Sequence, residues 1–195
     1  MKKLLITGFE PFGGESINPS WEAVLRLPDT VGRYTLTKLR VPVVFKRGAE
    51  VIIEKALELK PDVILSIGQA GGRDAVTPEL VGLNLRHAGM PDNEGNEPFD
   101  EPIADCGENA YFSTLPVRKM SEAIRSLGIP SRVSYSAGAY VCNDVLYTLL
   151  HRFRDSETRV GFIHIPYSAE QGKSPSMELD AVVNALSAAI ESIEL

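Results

Sequence analysis

The sequence predicts an α/β fold, more narrowly a single-domain, three-layer α/β/α sandwich whose central sheet is mixed but mostly parallel. Short apolar runs of strand length alternate with longer amphipathic stretches along the chain, an order typical of layered α/β proteins. A chain of 195 residues has the size of one compact domain with a continuous core. Neither an internal repeat nor a linker interrupts the alternation, so residues 1–195 are predicted to form one domain.

Apolar periodicity in the first third of the chain predicts the order strand, helix, strand, helix, strand. The dipeptide formed by Asn18 and Pro19 is a helix start signal, because proline suits the first helical turn. The second helix shows apolar residues at helical spacing on one face. The predicted strands cover residues 3–7, 34–44 and 62–67, and the predicted helices cover residues 19–27 and 48–59.

The remainder of the chain is divided by a long predicted loop at residues 88–107, which is rich in Pro, Gly, Asp, Asn and Glu and lacks any regular period. A short strand is predicted before it, at residues 80–85. After it the alternation resumes, with helices at residues 117–127, 142–153 and 176–193 and strands at residues 132–136 and 160–165. Ligands of open parallel sheets bind beyond the carboxyl ends of the strands. The loops predicted to meet there carry Phe9, Gln69, Cys142 and Tyr167.

Charge and composition exclude several classes of function. The formal net charge is −6 and the basic residues are dispersed, which argues against binding to nucleic acid or to an anionic membrane. The apolar stretch at the N-terminus meets Gly8 after only a few residues, so it is too short for a signal-peptide core or a membrane span. We therefore expect a cytoplasmic protein with two reduced cysteines.

Cys142 is the more promising of the two cysteines as a nucleophile. It follows the predicted strand at residues 132–136 by a short connection, which places it in the first turn of the next helix. Unpaired N–H groups and the helix dipole favour a thiolate there and can hold an oxyanion. The alternative is that Cys142 fills a buried gap as a small apolar residue. Cys106 lies in an acidic loop, which disfavours a thiolate, and the two cysteines provide no zinc-binding pattern.

His164 is the best placed of the three histidines to act as a base. It ends an apolar run followed by Pro166, so it should lie at the carboxyl edge of a strand, although a histidine there can also be a core residue. His87 lies in a loop and His151 in an exposed helical stretch. A third polar group would orient the imidazole. From the residues alone, Glu79 is only one candidate among many carboxylates.

Two glycine-rich loops follow predicted strands, at residues 8–14 and 68–73. Such loops can bind phosphate, which leaves a phosphate-using α/β enzyme such as a nucleoside phosphorylase as an alternative. Neither loop, however, matches the Walker or the dinucleotide pattern. The acidic run at residues 92–97 lacks the glycine position of an EF-hand, so calcium binding is also poorly supported.

Several long motifs in a fixed order resemble the pyroglutamyl peptidase I family, also called pyrrolidone-carboxylate peptidases, over nearly the whole chain. They are TGFEPFGG with the following NPSW, SIGQAGGR, PDNEGNEP, AYFSTLP, SAGAYVCN, and GFIHIPY with Glu170 and Gln171 after it. The resemblance assigns the nucleophile to Cys142, the general base to His164 and the acidic partner to Glu79, six positions after Arg73. It implies a thiol peptidase that needs neither a metal nor another cofactor.

The resemblance also implies the substrate, a peptide or amide with an N-terminal pyroglutamyl group that is removed by hydrolysis. In the family, aromatic side chains of the first loop hold the lactam ring, matching Phe9 and Phe12, with Gln69 near the lactam amide. These side chains suit a small uncharged ring with one N–H and one C=O. Relatives form homotetramers, so we expect a homo-oligomer.

The chain departs from the family pattern at two positions. Many relatives carry arginine where this chain has Gly89 and Leu80. If those arginines balance charge or bind the oxyanion, another group must replace them, and Arg86 or His87 could do so only if the loop allows. A protein that binds pyroglutamyl ends with weak turnover is therefore the second hypothesis.

Overall fold

The computed structural model describes residues 1–194, and a six-stranded mixed sheet forms its centre. The strands within the described residues are β1 Lys2–Phe9, β2 Thr30–Val31, β3 Tyr34–Val41, β4 Val63–Gln69, β5 Thr77–Pro78, β6 Val81–Leu83, β7 Ala110–Phe112, β8 Arg159–Ile165, β9 Tyr167–Ser168 and β10 Ser176–Met177. The central sheet has the order β2-β3-β1-β4-β8-β5. Its four inner strands are parallel, while β2 and β5 pair antiparallel at the two edges.

Helices cover both faces of the sheet, which confirms the predicted three-layer sandwich. They are α1 Pro19–Arg26, α2 Arg47–Leu59, α3 Val117–Ser126, α4 Val141–Phe153 and α5 Leu179–Glu191. Apolar residues of α1, α3 and α5 form one core cluster with the sheet, and those of α2 and α4 form a second cluster on the opposite face. Between Leu4 and Phe9 the strand β1 is buried on both sides, as expected for an inner parallel strand.

Three predicted elements are wrong in type or extent. Residues 132–136 form no strand: this segment makes one isolated bridge, between Ser134 and Glu79, and the edge of the sheet beside β8 is taken by β5. The last helix begins at Leu179, not at residue 176, because Ser176 and Met177 pair with β9. The predicted strand at 34–44 ends at Val41, directly before Pro42, which has no N–H to donate.

The other predicted elements are present with shifted ends. The strand predicted at 80–85 is limited to β6, which pairs with β7, a strand that the sequence did not predict. The loop predicted at 88–107 contains neither helix nor strand. Within residues 1–194, no helix is long and apolar enough to cross a bilayer.

The topology determines where a ligand site can form. The chain passes from β1 through α1 to β3 on one face, and from β3 through α2 to β4 on the other face. The strand order therefore reverses next to β1, and the carboxyl ends of β1, β4 and β8 are neighbours at one edge of the sheet. A crevice beyond such a reversal is the usual binding site of an open α/β sheet.

Candidate active site

Cys142 lies in the first turn of α4. The helix begins at Val141, directly after the extended residue Tyr140. The side chain of Cys142 is half-buried and lies over β4 at Gly68. A Cβ atom added to Gly68 would come within 3.0 Å of Cys142 Sγ and 2.7 Å of Phe162 Cζ, so only glycine leaves room for the sulfur here. Gly68 is also the register partner of His164 on β8, so the sulfur and the imidazole lie at paired positions of two adjacent strands.

His164 is 3% exposed and makes a hydrogen bond of 2.7 Å between its Nδ1 and Glu79 Oε1. An ionised carboxylate can only accept, so Nδ1 carries the proton and Nε2 is left as an acceptor. This is the tautomer that a general base requires. The ring also contacts that of Phe162, with the ring centroids 4.7 Å apart, which limits its rotation.

Glu79 is fully buried beside His164 because the short strand β5 pairs antiparallel with β8. Its own N–H donates to Phe162 O at 2.9 Å. Arg73 Nη1 donates to the same Oε1 at 2.7 Å, and Arg73 Nη2 donates to Ser136 O at 3.1 Å. Arg73 therefore balances the buried carboxylate charge, a role for which the sequence provided no signal beyond its position in a motif.

Burial and charge displace the pKa values of all three groups. Burial raises the pKa of the Cys142 thiol to about 12; the Glu79 charge adds to this and Arg73 opposes it. Burial lowers the pKa of His164 more than Glu79 raises it. Burial raises the pKa of Glu79, but the hydrogen bond and charge of His164, with the charge of Arg73, lower it by more. These directions favour a neutral thiol beside a neutral imidazole, rather than the thiolate that the helix N-terminus by itself would favour.

A narrow cavity of about 40 Å³ opens onto Cys142 at the carboxyl edge of the sheet. Its lining contains the three predicted ligand-binding residues together with the predicted nucleophile: Phe9, Phe12, Asn18, Val43, Gln69, Tyr140, Val141 and Cys142. A larger surface depression of about 300 Å³ borders Phe45, Lys46 and Arg86, but no cysteine lines it. The narrow cavity is therefore the candidate site.

The sequence-based prediction missed four residues of this lining. Tyr140 and Val141 directly precede Cys142, and that proximity could have identified them. Tyr140 packs its ring 6.4 Å from that of Phe12. Val43 and Asn18 gave no chemical signal. Tyr167, which was expected at the same edge, packs against Gly71 beside the cavity rather than in its lining.

The acidic run at residues 92–97 supports two walls of the cavity. Asp92 is buried, and its oxygens accept hydrogen bonds from the backbone N and side-chain Nδ2 of Asn96. The next residue, Asn93, donates from Nδ2 to Pro11 O at 2.9 Å and from its backbone N to Val43 O at 3.0 Å. The run therefore ties the first loop to the segment after β3, and N–H donors occupy the oxygens of Asp92 that calcium would need.

The two residues suggested as substitutes for the missing arginines have partners elsewhere. Arg86 is buried and pairs with Asp144 in the first turn of α4, with Arg86 Nη2 2.6 Å from Asp144 Oδ1. His87 Nδ1 lies 2.8 Å from Asp100 Oδ1 on the exposed loop. An added Cβ at Gly89 would meet no atom within 4 Å. Of Arg73 and Arg86, only Arg73 contacts Glu79.

Comparison with known proteins gives a consistent result over the whole chain. A family model described as pyroglutamyl peptidase matches residues 2–194. The chain is 48% identical to the pyrrolidone-carboxylate peptidase of Thermosipho africanus, over 98% of this chain and 96% of the relative. It is also 48% identical to the protein of the same name from Thermococcus onnurineus, over 97% of this chain and 98% of the relative.

Solved structures agree with the sequence relatives. The crystal structure of Bacillus amyloliquefaciens pyroglutamyl peptidase I superposes with a TM-score of 0.95 at 45% identity, covering 98% of this chain and 96% of that one. The pyrrolidone carboxyl peptidase of Thermococcus litoralis gives a TM-score of 0.94 at 37% identity, covering 98% and 93%. Similarity at this level extends to the whole sheet and its helices.

Proposed function

The chain belongs to the pyroglutamyl peptidase family of cysteine peptidases, and we propose that it removes N-terminal pyroglutamyl groups from peptides and amides through a thioester on Cys142. One observation carries the proposal. The buried hydrogen-bonded pair of His164 and Glu79 lies beside Gly68, the residue of the adjacent strand over which the Cys142 sulfur lies, and this sulfur lines an aromatic cavity.

Acylation begins from the neutral pair. His164 Nε2 takes the Sγ proton of Cys142 as the sulfur attacks the pyroglutamyl carbonyl carbon, and the carbonyl oxygen becomes an oxyanion. The backbone N–H of Cys142, at the N-terminus of α4, is the proposed donor to that oxyanion. The C–N bond then breaks, and His164 gives the proton to the departing amine nitrogen. Glu79 orients the ring and stabilises the imidazolium between these two transfers.

Deacylation repeats the proton transfers with water. His164 Nε2 accepts a proton from water as the oxygen attacks the thioester carbon. The C–S bond breaks, His164 returns the proton to sulfur, and pyroglutamate leaves. Every proton that His164 accepts is returned within the same half-reaction, so the cycle restores the neutral pair without any external acid or base.

The cavity supports recognition of a lactam ring. Phe9 and Phe12 provide apolar faces for the ring methylenes, and Gln69 is a polar group for the lactam amide. An ordinary N-terminus would bring an ammonium group against these aromatic walls, at a desolvation cost that a neutral lactam avoids.

We further propose that the chain is a single domain that acts as a cytoplasmic homo-oligomer, a tetramer by resemblance. The six-stranded sheet is built from segments between Lys2 and Ile165, which supports one domain. Large apolar side chains at Phe99 and Phe112 are exposed, and association would bury them if they lie in the interface. Light scattering coupled to size exclusion measures the oligomeric mass.

The proposed activity is tested with a pyroglutamyl-amide chromogen, with and without iodoacetamide, in a Cys106→Ser background that leaves Cys142 as the one thiol in the sequence. We expect rapid release of the chromophore that is abolished by alkylation. Activity that survives alkylation would contradict the thiol mechanism and leave the phosphate-using alternative open. Thermal stabilisation by pyroglutamyl peptides without product would favour a binding protein.

The pH dependence of kcat/KM is expected to show an acid limb with its midpoint below the ordinary histidine value of about 6.5. The base must be neutral, and burial lowers the pKa of His164, so protonation is postponed to lower pH. Circular dichroism over the same range is the control. The pKa values of both His164 and Glu79 are lower in the native state than their ordinary values. As the pH is lowered, the unfolded chain therefore takes up protons first, and the folded state loses stability. A limb above pH 6.5 in a folded protein would contradict this prediction.

A further inference from the structure

Gln171 lies next to the cavity in a short 3-10 turn, Ala169–Gln171, that follows β9. Its Oε1 accepts a hydrogen bond of 3.0 Å from the backbone N of Ser168, and its Nε2 donates to Gln69 Oε1 at 2.9 Å. Gln171 does not line the cavity itself. It therefore acts on a ligand only through Gln69.

Donor and acceptor chemistry determines which way both amides point. A backbone N–H can only donate, so the Gln171 atom facing Ser168 N is the oxygen. The other end of that amide is an NH2 group, which only donates. The Gln69 atom that it meets must accept and is therefore Oε1. The NH2 group of Gln69 has no hydrogen-bond partner among the described residues, although Gln69 lines the cavity.

We propose that Gln171 is a positioning residue that fixes the side-chain amide of Gln69 so that its NH2 group donates to the carbonyl oxygen of a bound lactam. The proposal rests on the proposed function and specifies how the ring is recognised. With Oε1 held by Gln171, rotation of the Gln69 amide by a half-turn would bring two NH2 groups together.

This arrangement discriminates between five-membered rings. A pyroglutamyl ring brings a carbonyl oxygen to the NH2 group of Gln69, whereas the pyrrolidine ring of an N-terminal proline brings none and leaves that donor unpaired. Sites built to hydrogen-bond one group of a substrate discriminate strongly against analogues that lack it. A reversed Gln69 amide would place its oxygen against the lactam carbonyl, which is less favourable than a freely rotating amide.

Gln171→Glu is the variant that reverses the amide. A carboxylate can still accept from Ser168 N, and glutamate is as good as glutamine at this position of a cap, so the turn is preserved. A carboxylate cannot donate to Gln69, however, and it attracts the NH2 group of Gln69 instead. Gln171→Ala is the matched control, because it removes the restraint on Gln69 without imposing the opposite one.

We expect kcat/KM for the pyroglutamyl amide to fall about threefold in Gln171→Ala and about 30-fold in Gln171→Glu, mainly through KM. A merely structural role for Gln171 predicts the opposite order, since glutamate preserves the turn better than alanine. On a Gln69→Ala background, Gln171→Glu is expected to change kcat/KM by less than about twofold, because no amide remains to be reversed.

One neighbouring charge must be controlled. Gln171 Nε2 also lies 3.4 Å from Glu15 Oε2, and Glu15 pairs with Lys173. A glutamate at position 171 could hold a proton beside Glu15 and donate after all. Gln171→Glu is therefore measured at pH 8 and also in a Glu15→Gln background, where the same order of activities is expected.

Binding of 2-pyrrolidone, followed by NMR titration of the full chain, separates this inference from the proposed function. The expected affinity order is wild type, then Gln171→Ala, then Gln171→Glu. This order without hydrolysis would overturn the proposed function and retain the inference. Hydrolysis with Gln171→Glu equal to or better than Gln171→Ala would overturn the inference and retain the function. Failure of both binding and hydrolysis would overturn both.

Discussion

Replacement of Cys142 by alanine is expected to reduce kcat/KM for a pyroglutamyl amide by about 10⁴-fold or more. The variant keeps the cavity and the pair of His164 and Glu79, but no atom remains to form the thioester. Alanine leaves the first turn of α4 unchanged and removes only a half-buried sulfur, so the melting temperature should change little. Stopped assays at high enzyme concentration measure the residual rate, and differential scanning calorimetry checks the fold.

The chain provides a matched control in its second cysteine. Cys106 is exposed in the long loop, and Cys106→Ala should retain full activity. His164→Ala is expected to lose activity to a similar extent as Cys142→Ala, and the double variant should be little worse than either one, because the two residues act as a unit. Turnover that persists in Cys142→Ala would rule out the thioester mechanism.

Replacement of Glu79 by glutamine is expected to lower kcat by about 10³-fold and to change KM little. Both His164 Nδ1 and Arg73 donate to the same oxygen, Oε1, so the amide should keep its oxygen there and preserve the tautomer. What is lost is the negative charge that stabilises the imidazolium in the transition state. KM should change little because Glu79 does not line the cavity.

The pH profile of Glu79→Gln tests this role against a structural one. The carboxylate raises the pKa of His164 against the effect of burial, so its removal should move the acid limb of kcat/KM to lower pH while the plateau falls. Damage to the fold would lower the plateau without moving the limb. Asp74→Asn is the matched control: it breaks an exposed pair with Arg132, 2.7 Å apart, and exposed pairs contribute little. An unshifted limb in Glu79→Gln would contradict the assignment.

Because this chain has Gly89 and Leu80 where many relatives carry arginine, the sequence does not show which group balances the charge of Glu79. In the structure Arg73 contacts Glu79 from within the GQAGGR motif, and its charge opposes the high pKa of the Cys142 thiol. The buried carboxylate is therefore paired without an arginine at either of the two departing positions. The N-terminus of α4 provides the proposed oxyanion donor without a side chain.

Prediction of the fold succeeded where structure follows from local pattern. The inner strands β1, β4 and β8 have continuous apolar runs because both of their faces are buried. Residues 132–136 were misassigned as a strand. Alternation of polar and apolar residues does not show whether the edge strand of the sheet is free to pair with the segment. The last helix was predicted too long because pairing with β9 claims Ser176 and Met177.

By itself, the sequence determined the order of the elements, the position of Cys142 at a helix N-terminus and, through ordered motifs, the family and its three catalytic candidates. Only the tertiary structure decided the partners of these groups. The contact of Glu79 with His164 joins residues 85 positions apart, and that of Gln171 with Gln69 joins residues 102 apart. Such contacts depend on the strand order and on which way individual N–H groups point. Neither produces a periodic pattern in the sequence.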